Sequence, residues 1–245
     1  MINKKDIIEK LRDDTHYYGE YGQQYLSNSK IKTLLENPLA FNEPQESNSN
    51  FIIGSYFHTS ILEPEKKENF KVIDSSTRTT KIYKEESGGE MCLLLKEKEA
   101  VDIMVEKVTN IKALNRLIKG SDNIEYEVPN IVDLFGNKWK GKADIVNHDE
   151  KLIVDLKTTS NINNFEWSAR DYNYDSQAWL YKQMFGYDMV FIVIDKNTLQ
   201  TGYFECSEEF LSRGMEKAKK ASGVYDLFFK NEDFNSEQFF INRTL

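Results

Sequence analysis

Three stretches in the middle of the chain carry the two-residue period of β-strands, with helical periodicity on both sides. Residues 124–134 alternate and are rich in β-branched side chains, residues 138–146 alternate again, and residues 152–156 form a short apolar run. The sequence DLFGN from Asp133 to Asn137 is a turn, so the first two stretches predict a hairpin with a third strand beside it. Upstream, residues 4–12 have helical spacing. A second helix follows Ser27 or Ser29 as its cap and stops at Pro38, a third covers about 49–62 and stops before Pro64, and 95–119 is again helical. The aromatic, glycine-containing stretch from His16 to Tyr25 is expected to be irregular, and the polar stretch 74–90 a mobile loop. Downstream, helices near Phe165 and over 174–185 precede strands at 189–195 and 200–205 and a long amphipathic helix over 208–230. The order predicts one α/β domain over 1–245: a mainly helical part over 1–120, a sheet core over 121–206, and a C-terminal helix and tail over 207–245.

Composition narrows the class. With 40% apolar residues and only 4 Pro, the chain supports a sizeable core and is unlike a disordered or linker-dominated sequence. No apolar run approaches the ~18–20 residues of a membrane span, and no export signal is visible, so a cytoplasmic location is expected. Two cysteines, Cys92 and Cys206, build no disulfide framework and cannot alone ligate an iron–sulfur cluster. The net charge of −8 argues against a general nucleic-acid coat protein. It leaves room for an enzyme of nucleic acids, because a site for a divalent cation must concentrate carboxylates. No GxxxxGK[ST] motif and no Ser/Cys–His triad context occurs, so neither an ATP motor nor a metabolic α/β enzyme has support.

The chemistry concentrates at GKAD, ending in Asp144, and at IVDLKTT, containing Asp155 and Lys157. Strand alternation puts Asp155 and Lys157 on one face, with Val154 and Leu156 on the other. Pairing of the two strands could bring Asp144 and Asp155 to one cation, a hard-oxygen site suited to Mg²⁺ or Mn²⁺. A lysine beside it can polarise a water and offset charge on a phosphate. An Asp-x-Lys triplet alone is common. Here Glu125 and Glu127 share a strand face upstream, and Glu127 precedes Asp144 by the length of a hairpin. Gly54 with His58, and Gln177 with Tyr181, stand at i, i+4 on their helices, so each pair shares a face; Gly54 would let its helix approach another backbone. Trp167 and Trp179 read as core residues.

These motifs, in order, resemble those of the PD-(D/E)XK nuclease superfamily, particularly its RecB/RecE-type exonucleases, which include phage recombination exonucleases. The resemblance spans 26–181: the serine-capped opening helix with Ser29, the Gly-x-x-x-His helix with His58, then Glu127, Asp144, Asp155 with Lys157, and the Gln-x-x-x-Tyr helix with Gln177 and Tyr181. It implies a restriction-endonuclease-like core, a central mixed β-sheet flanked by helices, with an N-terminal helical region. It implies a Mg²⁺- or Mn²⁺-dependent deoxyribonuclease, an exonuclease processing linear duplex ends in recombination or repair. An endonuclease, an end-trimming enzyme or a silent binding module on the same fold are the alternatives. In the implied roles, Asp144 and Asp155 ligate metal with the Leu156 carbonyl, Glu127 or Glu125 and His58 add ligands, and Lys157 positions the attacking water. Gln177 and Tyr181 contact the nucleic acid. Some relatives carry cluster-binding cysteines, one just before the opening-helix proline; that position is Asn37 here, so no iron–sulfur cluster is expected.

Candidate DNA contacts are Ser29, Arg78 in the polar 74–90 stretch, and the strand face of Lys138, Lys140 and Lys142. By resemblance, DNA is the partner, with a single-strand annealing protein and self-association into a homo-oligomer. Small size and Lys/Asn richness favour a phage gene product acting in a bacterial cytoplasm.

Overall fold

A computed structural model describes residues 3–44, 48–236 and 239. In chain order the elements are α1 (Lys4–Leu11), α2 (Asp14–Tyr18), α3 (Glu20–Gln23), α4 (Asn28–Glu36), α5 (Ser49–Leu62), β1 (Val72–Ile73), α6 (Lys81–Ser87), β2 (Leu93–Leu94), α7 (Leu95–Asn110) and α8 (Lys112–Lys119). The sheet strands and their helices follow: β3 (Ile124–Leu134), β4 (Asn137–Asn147), β5 (Leu152–Thr159), α9 (Phe165–Asp171), α10 (Tyr174–Phe185), β6 (Asp188–Asp195), β7 (Thr201–Glu205) and α11 (Glu208–Phe229).

The five long strands form one mixed sheet in the order β3-β4-β5-β6-β7, parallel only between β5 and β6. β6 is apolar along MVFIVI because both of its faces are covered. Met189, Phe191 and Val193 pack with Ile153 beneath α4, α10 and α11. Val190, Ile192 and Ile194 pack with Val154 and Leu156 beneath α5, α7 and α8. The restriction-endonuclease-like α/β fold expected from the sequence is the fold observed.

Two local expectations are corrected. The stretch from His16 to Tyr25 is largely helical, because Asp13 caps α2 by accepting from Thr15 and His16 N–H, and α3 follows at once. The stretch 74–90 holds α6, capped by Thr80 through Tyr83 N–H, with Gly88 at φ 64° ending it.

The sheet is complete everywhere except beside β4. β4 pairs with β5 only over Ile145↔Val154, Val146↔Ile153 and Asn147↔Leu152; beyond that the strands part. The rest of β4 finds other partners on that side. Leu26 N–H donates to Lys138 O and Lys140 N–H donates to Leu26 O. By the same alternation Lys142 turns its own N–H and C=O toward the gap, and Pro129, which has no N–H, is tolerated opposite it. The Tyr181 hydroxyl fills it, donating to Lys142 O at 2.8 Å and accepting from Lys142 N–H at 3.3 Å. Gly141 makes room, since a Cβ there would meet the Tyr181 ring at 2.5 Å.

This yields a stability prediction. Tyr181→Phe should keep the packing but strand both backbone groups, costing about 1–3 kcal/mol. Urea denaturation should show a lower midpoint at an unchanged slope; an unchanged midpoint would mean that the hydroxyl is dispensable.

Candidate functional site

The site lies where β4 and β5 part. The β3–β4 ladder pairs Tyr126 with Ile145 and Val128 with Ala143, but skips the step between them, where Glu127 faces Asp144. Glu127 has φ 50°, a left-handed conformation that is uncommon for a side chain of this kind and costs of order 1 kcal/mol or more. The effect of this kink is visible in the packing. Ile124 and Tyr126 pack with the α5 side of the core, whereas Val128, Val132 and Leu134 pack with the α10 side, although all five are even-numbered positions of one strand. The kink frees the Glu127 carboxylate to join Asp144 and His58, and the three ligand atoms lie within 4.8 Å of one another.

His58 comes from α5, anchored below by Tyr56, Phe57 and Ile61 in the core. Its Nδ1 stands 3.1 Å from Asp144 Oδ2. The same Asp144 oxygen accepts the Leu156 N–H at 2.9 Å. Asp155 is almost fully buried, with relative exposure of 1%. Gln177 Nε2 donates to its Oδ1 at 2.6 Å. Its Oδ2 has the Lys157 ammonium 2.5 Å away, a charge-assisted contact. Lys157 Nζ also sits 4.7 Å from the centre of the Tyr174 ring, a cation–π contact.

These charges act on one another. Burial, then the charge of Asp144, pushes Glu127 up to about 7. Burial, with Asp144 adding, pushes Asp155 up to about 6 against the pull of Lys157. Burial also disfavours charge on Asp144, but the His58 charge and hydrogen bond outweigh it and hold this carboxyl below its ordinary value. Burial opposes His58 too, and Asp144 outweighs it, so the imidazole is raised. Lys157 is raised by Asp155 against its own burial and stays charged.

Could these residues hold a divalent cation? Two carboxylates and an imidazole converge, and Asp155 adds a buried carboxylate, balanced by Lys157, on the adjoining strand. Hard oxygen with one nitrogen suits Mg²⁺ or Mn²⁺. The donor set fits.

The other sequence-derived candidates fall elsewhere. Glu125 is drawn off by His148 Nε2 at 2.9 Å and Arg12 at 3.3 Å, so Glu127 and not Glu125 reaches the cluster. The contact shown by Leu156 is its N–H on Asp144. Tyr181 caps the β4 backbone, and Gln177 holds Asp155. Ser29 pairs its hydroxyl with Ser27 at 2.9 Å. Arg78 is clamped through Nη1 and Nη2 by Glu97 at 2.7 and 2.5 Å and by Cys92 O at 3.1 Å, so its guanidinium faces a protein carboxylate. Lys140 and Lys142 share a face as alternation requires, but α2 covers it: Lys140 bonds Tyr17 O and Lys142 pairs with Asp14. Gly54 meets nothing within 4 Å, so its helix makes no close backbone approach there. Trp167 is 68% exposed and not core.

One participant went unread in the sequence: Tyr174. The signal was present, since Tyr174, Gln177 and Tyr181 stand at i, i+3 and i+7 of α10, one helical stripe.

Comparison with known proteins decides the family. Residues 27–235 match the model of a family described as a PDDEXK-like domain of unknown function (DUF3799). The chain belongs to this family. It is thereby a member of the PD-(D/E)XK superfamily. A search of curated proteins finds no match. Among solved structures, a putative exonuclease from Eubacterium rectale superposes with a TM-score of 0.61 at 15% identity, over 95% of this chain and 95% of that one. At this identity the likeness shows the fold. A phage related exonuclease from Haemophilus somnus 129PT aligns with a TM-score of 0.38 at 14% identity, over 84% of this chain and 95% of that one. Among the described residues, no helix of this PDDEXK-like protein is long and apolar enough to cross a membrane.

The raised Glu127 makes a pH prediction. Its folded value, about 7, lies above the ordinary 4.5, so the folded state binds the extra proton. Its contribution to stability is complete below about pH 4.5 and is lost as pH rises through about 7. Glu127→Gln, which mimics the protonated carboxyl, should therefore melt higher than wild type in chelator, by roughly 5 °C at pH 8 and by much less at pH 5. Thermal melts across that range check it; a gap independent of pH would refute the raised carboxyl.

Proposed function

We propose that this protein hydrolyses phosphodiester bonds of DNA with Mg²⁺ or Mn²⁺, as an exonuclease working from the ends of linear duplex in recombination or repair. The observation that carries the reading is the convergence of His58, Glu127 and Asp144 at the kinked step of β3, with Asp155 and Lys157 on the next strand. The name of the Eubacterium rectale protein supports the exonuclease mode. A single-strand annealing partner, self-association and a phage origin belong to the same reading through the RecB/RecE-type resemblance.

His58, Glu127, Asp144 and Asp155 would hold the cation, which when bound supplies Lewis acidity at a phosphoryl oxygen and an acidified water. The remaining residues prepare the site. Gln177 fixes Asp155 so that only Oδ2 is left for other partners. The Tyr174 ring and Asp155 hold Lys157 in place and charged. Its ammonium would steady the attacking water and offset charge building on the phosphate, an interaction strongest in the transition state.

The test uses linear duplex labelled at the 5′ or 3′ end beside a closed circle. Shortening from an end with Mg²⁺ or Mn²⁺, an intact circle, and loss of activity in excess EDTA are expected. Activity that survives EDTA would refute the metal reading, and cutting of the circle would refute the exonuclease mode. Lys157→Ala should lower the single-turnover rate by ~10²–10³-fold. DNA binding measured with Ca²⁺ should change little, because other contacts share that task. An unchanged rate would make Lys157 a structural lysine.

A further inference from the structure

Two exposed tyrosines stand at the edges of the site. On the β4 side, Tyr18 at the end of α2 is 67% exposed. Its ring meets Tyr17 edge-on at 5.0 Å and lies 5.4 Å from Lys142 Nζ, two residues before Asp144 on β4. The charges of Glu127, Asp14 and Asp144 reach its hydroxyl. On the Lys157 side, Tyr172 is 62% exposed. Its ring lies 5.9 Å from Tyr174, the ring that carries Lys157. One exposed ring thus neighbours Lys142 of β4, and the other neighbours the ring that carries Lys157.

Four lysines of this region are, by contrast, engaged. Lys142 pairs with Asp14, Lys66 with Glu63, Lys140 with Tyr17 O and Lys217 with Asp175. A duplex is gripped mainly by free lysine and arginine on its phosphates. An unpaired strand can instead be held by its bases, each of which has a π-face for an aromatic ring.

We propose that Tyr18 and Tyr172 are stacking platforms for unpaired nucleobases on the two sides of the site, so that the strand to be cut enters it single-stranded. This rests on the nuclease reading and sharpens its substrate: a duplex end is used through a frayed or overhanging terminus.

The test measures binding in Ca²⁺ of a fluorescent single-stranded oligonucleotide and of a blunt duplex of equal length, for wild type and for Tyr18→Ala, Tyr172→Ala, Tyr18→Phe and Tyr172→Phe. Tyr203→Ala, on an edge strand, serves as an exposed control. Each of the first two alanine variants should bind the single strand about five- to hundredfold more weakly. The phenylalanine variants should bind like wild type, because stacking needs the ring and not the hydroxyl. Affinity for the blunt duplex should hardly move. With Mn²⁺, wild type should degrade overhanging ends faster than blunt ones, and the alanine variants should lose that preference. Alanine variants that bind the single strand normally, or phenylalanine variants as weak as alanine, would overturn the proposal. If wild type cleaves no DNA but the stacking pattern holds, the nuclease reading fails and the platforms stand. If wild type cleaves and the alanine variants match it on every end, the platforms fail alone.

Discussion

The parting of β4 from β5 is the constraint on which the rest of the molecule turns. A sheet that opens exposes backbone N–H and C=O groups, and burying them unpaired is costly. The protein closes the gap with parts from three places: the Leu26 backbone, the Tyr181 hydroxyl, and the Asp144 carboxylate on Leu156 N–H. Each partner fixes a different element against the sheet. Leu26 ties down the start of α4, Tyr181 ties α10, and Asp144 is itself held at the bottom of the gap. The opening is thus both a defect in the ladder and the reason that helices remote in sequence meet there.

The second consequence is electrostatic. Three carboxylates from three strands crowd into a space where burial disfavours their charge. Two of them, Glu127 and Asp155, are pushed up toward neutrality; the third stays ionised because His58 faces it. Lys157 and His58 supply the counter-charge. Kinked backbone at Glu127 and carboxylates buried against one another are both unfavourable for the fold taken alone. Concentration of such features in one spot is the pattern expected of a site built to act rather than to stabilise.

The surroundings differ from what a net charge and a count of lysines suggest. Lys142, Lys140, Lys66 and Lys217 are tied to protein partners, while the rings of Tyr18 and Tyr172 are left exposed. For Lys140 this has a price in its own ionisation: burial first, then Lys142 and Lys30, bring it down to about 8. The N-terminal helices α1 to α3 therefore do structural work, covering one face of β3 and β4, in a region whose glycines and aromatics gave no clear period.

How much was legible from the sequence follows from what kind of interaction made each feature. Period and composition determined the strands β3 to β7, the helices α4, α5, α10 and α11, and the α/β class, because apolar alternation and caps are local signals. Spacing along single elements determined the pairs Gly54/His58 and Asp155/Lys157, and the ordered motifs pointed to the PD-(D/E)XK fold. Only the tertiary structure chose Glu127 over Glu125, since that choice depends on one left-handed residue that breaks the strand's phase. It also removed Arg78, Lys140 and Lys142 from the candidate DNA surface, because Glu97, Tyr17 and Asp14, distant in sequence, claim them. Trp167 was moved from the core to the surface and Tyr174 brought under Lys157 for the same reason. Local rules set which way a side chain leaves its own element; which group waits for it there is decided by the packing of elements against one another.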